Sequence, residues 1–241
     1  MFQDTKAIEA IETAARPGPG AVVRSVYFDQ TDILRGIMQL HCPEGFDCDM
    51  TYGSGQFWKH LPEPRLKFDI SPQVGGVQKA CSTDLPVEAG SLGSLVFDPP
   101  FLTYVRAGRS GNGSMIMAKA FSGYWRYDEL EDHYQHSISE AFRVLRPGGV
   151  LVFKCQDIIH NHAMHCTHAR VILMAELEGF RLKDLFVLPA KHRLPSPNRR
   201  GAQQHARIFH SYFLVLEKPQ AKRNARHTRG RTVPTHNTRR T

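Results

Sequence analysis

Ser94-Leu95-Val96-Phe97-Asp98-Pro99-Pro100-Phe101 is an apolar run cut short by one acid and two prolines. Proline has no N–H to give a neighbouring strand, so a strand through Ser94–Phe97 must stop at Asp98 and leave that carboxylate at its C-terminal end. Downstream, Leu130, Tyr134, Ile138, Phe142 and Leu145 recur at helical spacing. Arg146-Pro147-Gly148-Gly149 then ends the helix, and Val150–Lys154 reads as a second apolar strand. Thr167–Glu178 reads as helix, Phe180–Leu188 as strand and Ser211–Lys218 as a last strand. Upstream, Thr31 or Asp32 would cap a helix carrying Ile33, Leu34, Ile37, Met38 and His41 on one side. Pro43-Glu44-Gly45 turns the chain into strands at Phe46–Met50 and Arg65–Ile70. Strands alternating with helices predict an α/β domain with a parallel sheet.

Open α/β sheets bind ligands at the carboxyl ends of their strands, and the chain puts suitable residues there. Asp49-Met50-Thr51-Tyr52-Gly53-Ser54-Gly55 lies where the first strand ends and a helix is expected to begin. Gly53 and Gly55 would let the backbone approach a ligand closely, and a helix N-terminus would add positive potential. The third glycine of a dinucleotide fingerprint would fall at 58, which is Trp58, so NAD is poorly served. Asp69 at the second strand end could accept both hydroxyls of a ribose, and Asp84, at the end of an expected third strand, could accept an adenine amino group. Taken alone, each of these acids is as well explained as a turn residue.

Composition narrows the class. The chain has 241 residues, 41% hydrophobic and 22% charged, which are globular values. No segment approaches the ~20 unbroken apolar residues that span a bilayer. The N-terminus has no apolar stretch of signal-peptide length, and five cysteines in no pairing pattern point to reduced thiols, so a cytoplasmic protein is expected. The net charge of +8 is unevenly placed: 102–126, 189–208 and 219–241 hold sixteen of the 31 bases and no acid, leaving 15 bases against 23 acids elsewhere. Positive segments on an otherwise acidic scaffold suit a polyanion, though solubility alone explains such a count equally well. Asp4–Ala15 reads as a short helix stopped by Pro17-Gly18-Pro19-Gly20. The expected organisation is an appendage over 1–20, a domain over 21–218, and a basic disordered tail over 219–241.

Asp-Pro-Pro-Phe after a fourth strand, with Asp-x-x-x-Gly-x-Gly after a first, resembles the S-adenosylmethionine-dependent amino-methyltransferases acting on exocyclic amines of nucleic-acid bases. Thr51–Lys59, Phe153-Lys154-Cys155-Gln156-Asp157 and His210-Ser211-Tyr212-Phe213 look more narrowly like small DNA methylases of phages and prophages. The resemblance runs over roughly Val26 to Lys218. It implies a Rossmann-like class I methyltransferase fold, a mostly parallel seven-stranded sheet with helices on both faces and an antiparallel last strand. It implies S-adenosylmethionine held by Asp49, Tyr52, Gly53, Gly55, Asp69 and Asp84, and DNA as the partner, with adenine N6 ahead of cytosine N4. Asp98 and the Pro99 carbonyl would accept the amine hydrogens, Pro99 and Pro100 would fix the loop, and Phe101 would stack on a flipped base. Lys154, Gln156, Arg199 and Arg200 would meet the substrate.

The chain also departs from the family. Phe28-Asp29-Gln30-Thr31-Asp32 stands where many such enzymes carry a Pro-Thr-Gln-Lys-Pro element, and no separate target-recognition domain is evident. Specificity would come from 102–126, a glycine-rich lid candidate, from 189–208 with Arg199, Arg200 and Arg207, or from another protein. His160, His162, His165, Cys166 and His168 fit no usual zinc spacing, so they are read as loop histidines and no metal is expected. Cys155 reads as a buried thiol. An RNA enzyme such as one acting on ribosomal guanine N2, an inactive nucleic-acid-binding module, and a small-molecule or glutamine N-methyltransferase remain as alternatives.

Overall fold

Residues 20–101, 103, 126–190 and 204–220 are described in the computed structural model. Helix α1 (Gln30–His41) opens where Asp29 Oδ1 accepts the Thr31 N–H at 2.7 Å, so the cap is Asp29 rather than Thr31 or Asp32. The chain then forms β1 (Cys48–Asp49), a single 3-10 turn at Gln56–Trp58, β2 (Leu66–Asp69), β3 (Gln78–Lys79) and β4 (Leu92–Phe97). After α2 (Tyr127–Val144) come β5 (Leu145–Cys155), a hairpin of β6 (Ile158–His160) and β7 (Ala163–His165), α3 (Thr167–Glu178), β8 (Arg181–Pro189) and β9 (His210–Glu217).

Seven strands form one sheet in the order β3-β2-β1-β4-β5-β9-β8. β1 through β5 pair in parallel, and β9 runs antiparallel to both β5 and β8. Alternation along the strands explains the layers. Leu95, Phe97, Leu151, Phe153, Leu214 and Leu216 pack with Leu130, Tyr134 and Ile138 of α2 and Val171 and Ala175 of α3. The intervening Val96, Val150, Val152, Phe213 and Val215 pack with Ile33, Leu34 and Ile37 of α1. A strand buried on both faces must be apolar at every position, which is why 95–97 and 150–153 read as unbroken runs. The architecture is a Rossmann-like α/β fold, a mostly parallel seven-stranded sheet with helices on both faces.

Order along the chain steps outward from β1 to β3 and then returns to β4 on the other side. The crevice outside the carboxyl ends of β1 and β4 is therefore a topological switch point, and Asp49 and Asp98 flank it.

Several expectations need correction. β1 is two residues long, not Phe46–Met50, because Phe46 and Met50 are used as core side chains beyond its ends. The helix expected after Gly55 is only the 3-10 turn. β3 stops at Lys79, and Asp84 closes a turn with its N–H donated to the Cys81 carbonyl at 2.9 Å. Leu145 and Arg146-Pro147-Gly148-Gly149 belong to β5 across an irregular register with β4. The histidine-rich segment is a hairpin, turned by Asn161 and His162 at φ of 48° and 59°. The helix expected at Asp4–Ala15 and the tail beyond Gln220 lie outside the described residues.

Candidate active site

Two cavities meet at the carboxyl edge of the sheet. The first, of about 520 Å³, is lined by the Asp49–Ser54 loop, Asp69 of β2, Cys81 and Ser82 beyond β3, Asp98 and Pro100 beyond β4, and His133 of α2. The second, of about 510 Å³ and more open, is walled by Phe28, Phe101, Gln156, Leu188 and His210. Gln30 and Lys154 line both.

The loop after β1 is built by hydrogen bonds. Asp49 accepts the Thr51 N–H on Oδ1 at 2.8 Å and the Trp58 indole N–H on Oδ2 at 2.7 Å. Position 58 thus carries a buried anchor for the loop instead of a fingerprint glycine. Gly53 donates its N–H to Asp69 Oδ2 at 2.8 Å, and Ser71 donates to Oδ1 at 2.7 Å, so the end of β2 is tied to the turn beyond β1. Gly55 has φ of +76°, and a Cβ there would stand 2.8 Å from the Tyr52 hydroxyl. Only glycine lets the loop fold over Tyr52 in this way.

Thr51 Oγ1 accepts the Asp98 N–H at 2.9 Å, which fixes the end of β4 to the end of β1. Pro99 is buried. The Pro100 carbonyl accepts the Tyr134 hydroxyl at 3.0 Å, so α2 holds the turn from beneath. Lys154, near the end of β5, donates to Asp98 Oδ2 at 3.1 Å and to Gln30 Oε1 at 3.4 Å. Gln156 donates its Nε2–H to the His210 carbonyl at 3.0 Å. Behind it, Asp157 is buried and accepts His168 N–H on Oδ1 at 3.2 Å and the Tyr212 hydroxyl on Oδ2 at 3.4 Å. Its Oδ1 also lies 2.7 Å from His168 Nδ1, and the His168 ring stacks on Tyr212. Thr167 and His168 therefore serve different partners, since Thr167 Oγ1 meets the Tyr127 hydroxyl at 3.3 Å.

Three carboxylates and one ammonium in the first cavity make it acidic. Burial pushes the Asp49 carboxyl up to about 7, partly opposed by its two hydrogen bonds and reinforced by the charges of Asp98 and Asp69. Burial, with His136 nearby, holds His133 below the usual histidine range, which favours the neutral imidazole. Burial also raises the Cys155 thiol, which is fully enclosed and inert.

Asp49, Tyr52, Gly53, Asp69, Asp98, Pro100 and Lys154 come together at the first cavity, with Gly55 immediately behind it, while Phe101 and Gln156 face the second. Asp84 does not join them. It is exposed in its turn, and Cys81 and Ser82 occupy the wall where it was expected. The reason is the early end of β3, which places the cavity edge three residues before Asp84. Arg199 and Arg200 lie outside the described residues. Gln30, Phe57, Cys81, Ser82 and His133 were not singled out from sequence as site residues. Gln30 sits in the Phe28–Asp32 stretch that stands in place of a Pro-Thr-Gln-Lys-Pro element. His133 lies one turn from Leu130 and Ser137 on the inward face of α2, a phase its neighbours signal. Among the described residues, no group of three or more His, Cys, Asp or Glu side chains could hold a metal ion, and no helix is long and apolar enough to cross a membrane.

No protein-family model matches the chain, and no curated protein matches it. Among solved structures, it resembles a provisionally named DNA modification methylase from Thermus thermophilus in complex with S-adenosyl-L-methionine. That likeness has 22% identity and a TM-score of 0.38 over 57% of this chain and 52% of the other. It also resembles an S-adenosylmethionine-dependent methyltransferase from Thermotoga maritima, a possible histamine N-methyltransferase (14% identity, TM-score 0.44, 79% of this chain and 90% of the other). A third is the cytosine-N4-specific PvuII DNA methyltransferase (19% identity, TM-score 0.40, 56% of this chain and 45% of the other). The chain spans about half the length of the Thermus protein it matches.

Proposed function

We propose that residues 21–218 form a methyltransferase that uses S-adenosylmethionine to methylate an exocyclic amino group of a DNA base, adenine N6 ahead of cytosine N4. The observation that carries this reading is the placement of Asp98. It ends β4 at the switch point, fixed by Thr51, Lys154 and its following prolines, on the wall of an acidic cavity that shares Lys154 with a second, partly aromatic one.

The first cavity suits the cofactor on its own residues. Its volume admits a nucleoside-sized ligand, its acids favour a cation, and Asp69 and the Gly53 turn offer hydroxyl acceptors and a close backbone approach. Cys81 and Ser82, on the cavity wall beyond β3, would be candidates to meet the adenine of the cofactor. S-adenosylmethionine held there supplies an electrophilic methyl group on a sulfonium. The chain's own residues prepare the acceptor. An aryl amine is a poor nucleophile because its lone pair is delocalised, and acceptors placed before binding draw both N–H hydrogens and localise that pair. The Asp98 carboxylate and the Pro99 carbonyl supply them, and Phe101 offers a stacking face for a base rotated into the second cavity. Proline at 99 and 100 removes backbone freedom, so alignment is established before the substrate enters.

The test is to express the wild type and Asp98→Ala in a host free of DNA methylation, digest DNA and RNA, and quantify methylated nucleosides by mass. N6-methyladenine or N4-methylcytosine in DNA from the wild type alone is expected. A mark confined to RNA would move the reading to an RNA enzyme, and a mark that persists in Asp98→Ala would remove Asp98 from the mechanism.

A further inference from the structure

Lys154 is a half-satisfied cation. Its side chain is 13% exposed and its ammonium lies 5.1 Å and 5.6 Å from the ring centres of Phe57 and Phe213. Such a cage suits a positive charge but supplies no hydrogen-bond acceptor in the ring plane. An ammonium has three donors, and two are used, on Asp98 Oδ2 and Gln30 Oε1. Asp98 is half-satisfied in turn, since Oδ1 takes no hydrogen bond from the described residues. Among the described residues, one free acceptor on Asp98 and one free donor on Lys154 therefore stand side by side at the first cavity, and Lys154 also lines the second.

Charge neutralisation alone does not call for this arrangement. Burying an ion pair is costly unless its remaining hydrogen-bonding capacity is filled, and here each partner keeps one unit unfilled toward open space. The pair is complementary to a ligand edge that presents a donor next to an acceptor.

Resting on the function proposed above, we infer that Lys154 and Asp98 together read the amidine edge of the target base, an amino group beside an unprotonated ring nitrogen. Asp98 Oδ1 accepts one amine hydrogen and Lys154 donates its third N–H to the ring nitrogen. Adenine, with N6 beside N1, and cytosine, with N4 beside N3, both present this edge. On its Watson–Crick edge guanine presents N1–H beside its amine, so two donors would face each other and only its sugar edge, N2 beside N3, repeats the pattern, while thymine has no amine to offer. Lys154 is thus a specificity-determining residue that favours adenine and cytosine and rejects the Watson–Crick edge of guanine. Gln30 and the two phenylalanines hold its ammonium at the junction.

The test uses duplexes carrying the site mapped from the methylated host DNA, with the target base replaced by an analogue lacking only the ring nitrogen: 1-deazaadenine, or 3-deazacytosine if cytosine carries the mark. Duplex binding, by fluorescence anisotropy with S-adenosylhomocysteine present, and kcat/KM are both read. The wild type is expected to lose roughly 100-fold in kcat/KM, and roughly tenfold in affinity, on the analogue. Lys154→Met, which fills the aromatic cage without a donor, is expected to lose a similar factor on the natural base and nothing further on the analogue. Lys154→Arg keeps a donor and is expected to keep the discrimination. Should Lys154→Met fail to fold, the wild-type comparison still decides. Equal use of base and analogue by the wild type overturns the inference while leaving the methyltransferase reading intact, as does undiminished discrimination in Lys154→Met. Absence of any methyl mark with the wild type overturns both.

Discussion

Trp58 donates its indole N–H to Asp49 Oδ2 at 2.7 Å, and each residue is only 2% exposed. This bond holds the loop beyond β1 against the sheet and also fixes a carboxyl group that titrates near neutrality. The folded chain holds the Asp49 proton more tightly than the unfolded chain, because its carboxyl sits at about 7 rather than at 3.8. The associated stability is fully present below about pH 4 and is lost as pH rises through 7, to the extent of a few kcal/mol. Urea unfolding of the wild type should therefore show a midpoint that falls between pH 5.5 and pH 8. In Asp49→Asn this part of the slope should vanish, at some cost in absolute stability, because an NH2 replaces one of the two oxygens that separately accept from Thr51 and Trp58.

The same titration bears on the cofactor. Asp49 faces the first cavity, and its ionised form favours a positively charged ligand. Calorimetry is expected to show S-adenosylmethionine gaining affinity relative to the neutral thioether S-adenosylhomocysteine as pH rises from 6 to 8. Asp49→Asn should remove that divergence. Parallel pH curves for the two ligands in the wild type would place the sulfonium away from Asp49.

Gly53 and Gly55 separate strain from collision. Both have positive φ, at 57° and 76°, so alanine at either costs about 1 kcal/mol in backbone strain. Only Gly55→Ala also drives a methyl into the Tyr52 hydroxyl at 2.8 Å and its ring at 3.0 Å. Tyr52 lines the first cavity, so it must move. Gly55→Ala should weaken cofactor binding tenfold or more, against a few-fold for Gly53→Ala, whose Cβ meets nothing closer than the Thr51 carbonyl at 4.0 Å.

Tyr134 is fully buried, with its ring packed edge-on to Phe153 and its hydroxyl on the Pro100 carbonyl at 3.0 Å. Tyr134→Phe removes that bond and leaves the ring packing. A loss of about 1 kcal/mol in unfolding free energy is expected. If the Asp98–Phe101 turn aligns the target amine, kcat should also fall several-fold with cofactor affinity unchanged. A stability change with kcat untouched would show that α2 supports the fold and not the alignment.

Strand and helix identity was readable wherever burial dictated composition. Leu95–Phe97 and Val150–Phe153 are apolar at every position because both faces are covered, and Thr167–Glu178 is bounded as helix where the sequence placed it. The bounds of the short strands were not readable, since β1 and β3 are held by neighbouring strands and loops and carry little pattern of their own. The same gap explains Asp84. Its position followed from an assumed strand end, and the strand stops early at exposed Gln78 and Lys79. The β6–β7 hairpin was hidden because its turn uses Asn161 and His162 with positive φ instead of a glycine. Asp98 and its prolines were legible because proline forbids all but a few backbone states. The partnership of Lys154 with Gln30 was not, because 124 positions separate them.

Glu140 is a buried carboxylate whose loss would separate α2 from the segment beyond β3. At 8% exposure it accepts the Leu85 N–H at 2.7 Å and two hydrogen bonds from Arg143, at 2.6 Å and 2.7 Å. Arg143 in turn donates to the Leu85 carbonyl at 3.1 Å, so both backbone groups of Leu85 are held by one ion pair. Burial pushes the Glu140 carboxyl upward, but Arg143 and the Leu85 N–H outweigh it and the net shift is below the usual 4.5. A carboxyl held low contributes stability above pH 4.5 that disappears as pH falls through its folded value. In Glu140→Gln the amide can still accept from Leu85, but its NH2 faces the guanidinium. Because the Arg143 side chain is 41% exposed, solvent screens part of the interaction, and the expected loss at pH 7 is about 1–2 kcal/mol. At pH 3, below the usual 4.5, the unfolded chain has taken up the corresponding proton and the difference between the two proteins should narrow. Thermal unfolding followed at both pH values checks this, and a gap of equal size at pH 3 and pH 7 would show that the charge of Glu140 contributes nothing beyond its hydrogen bond to Leu85.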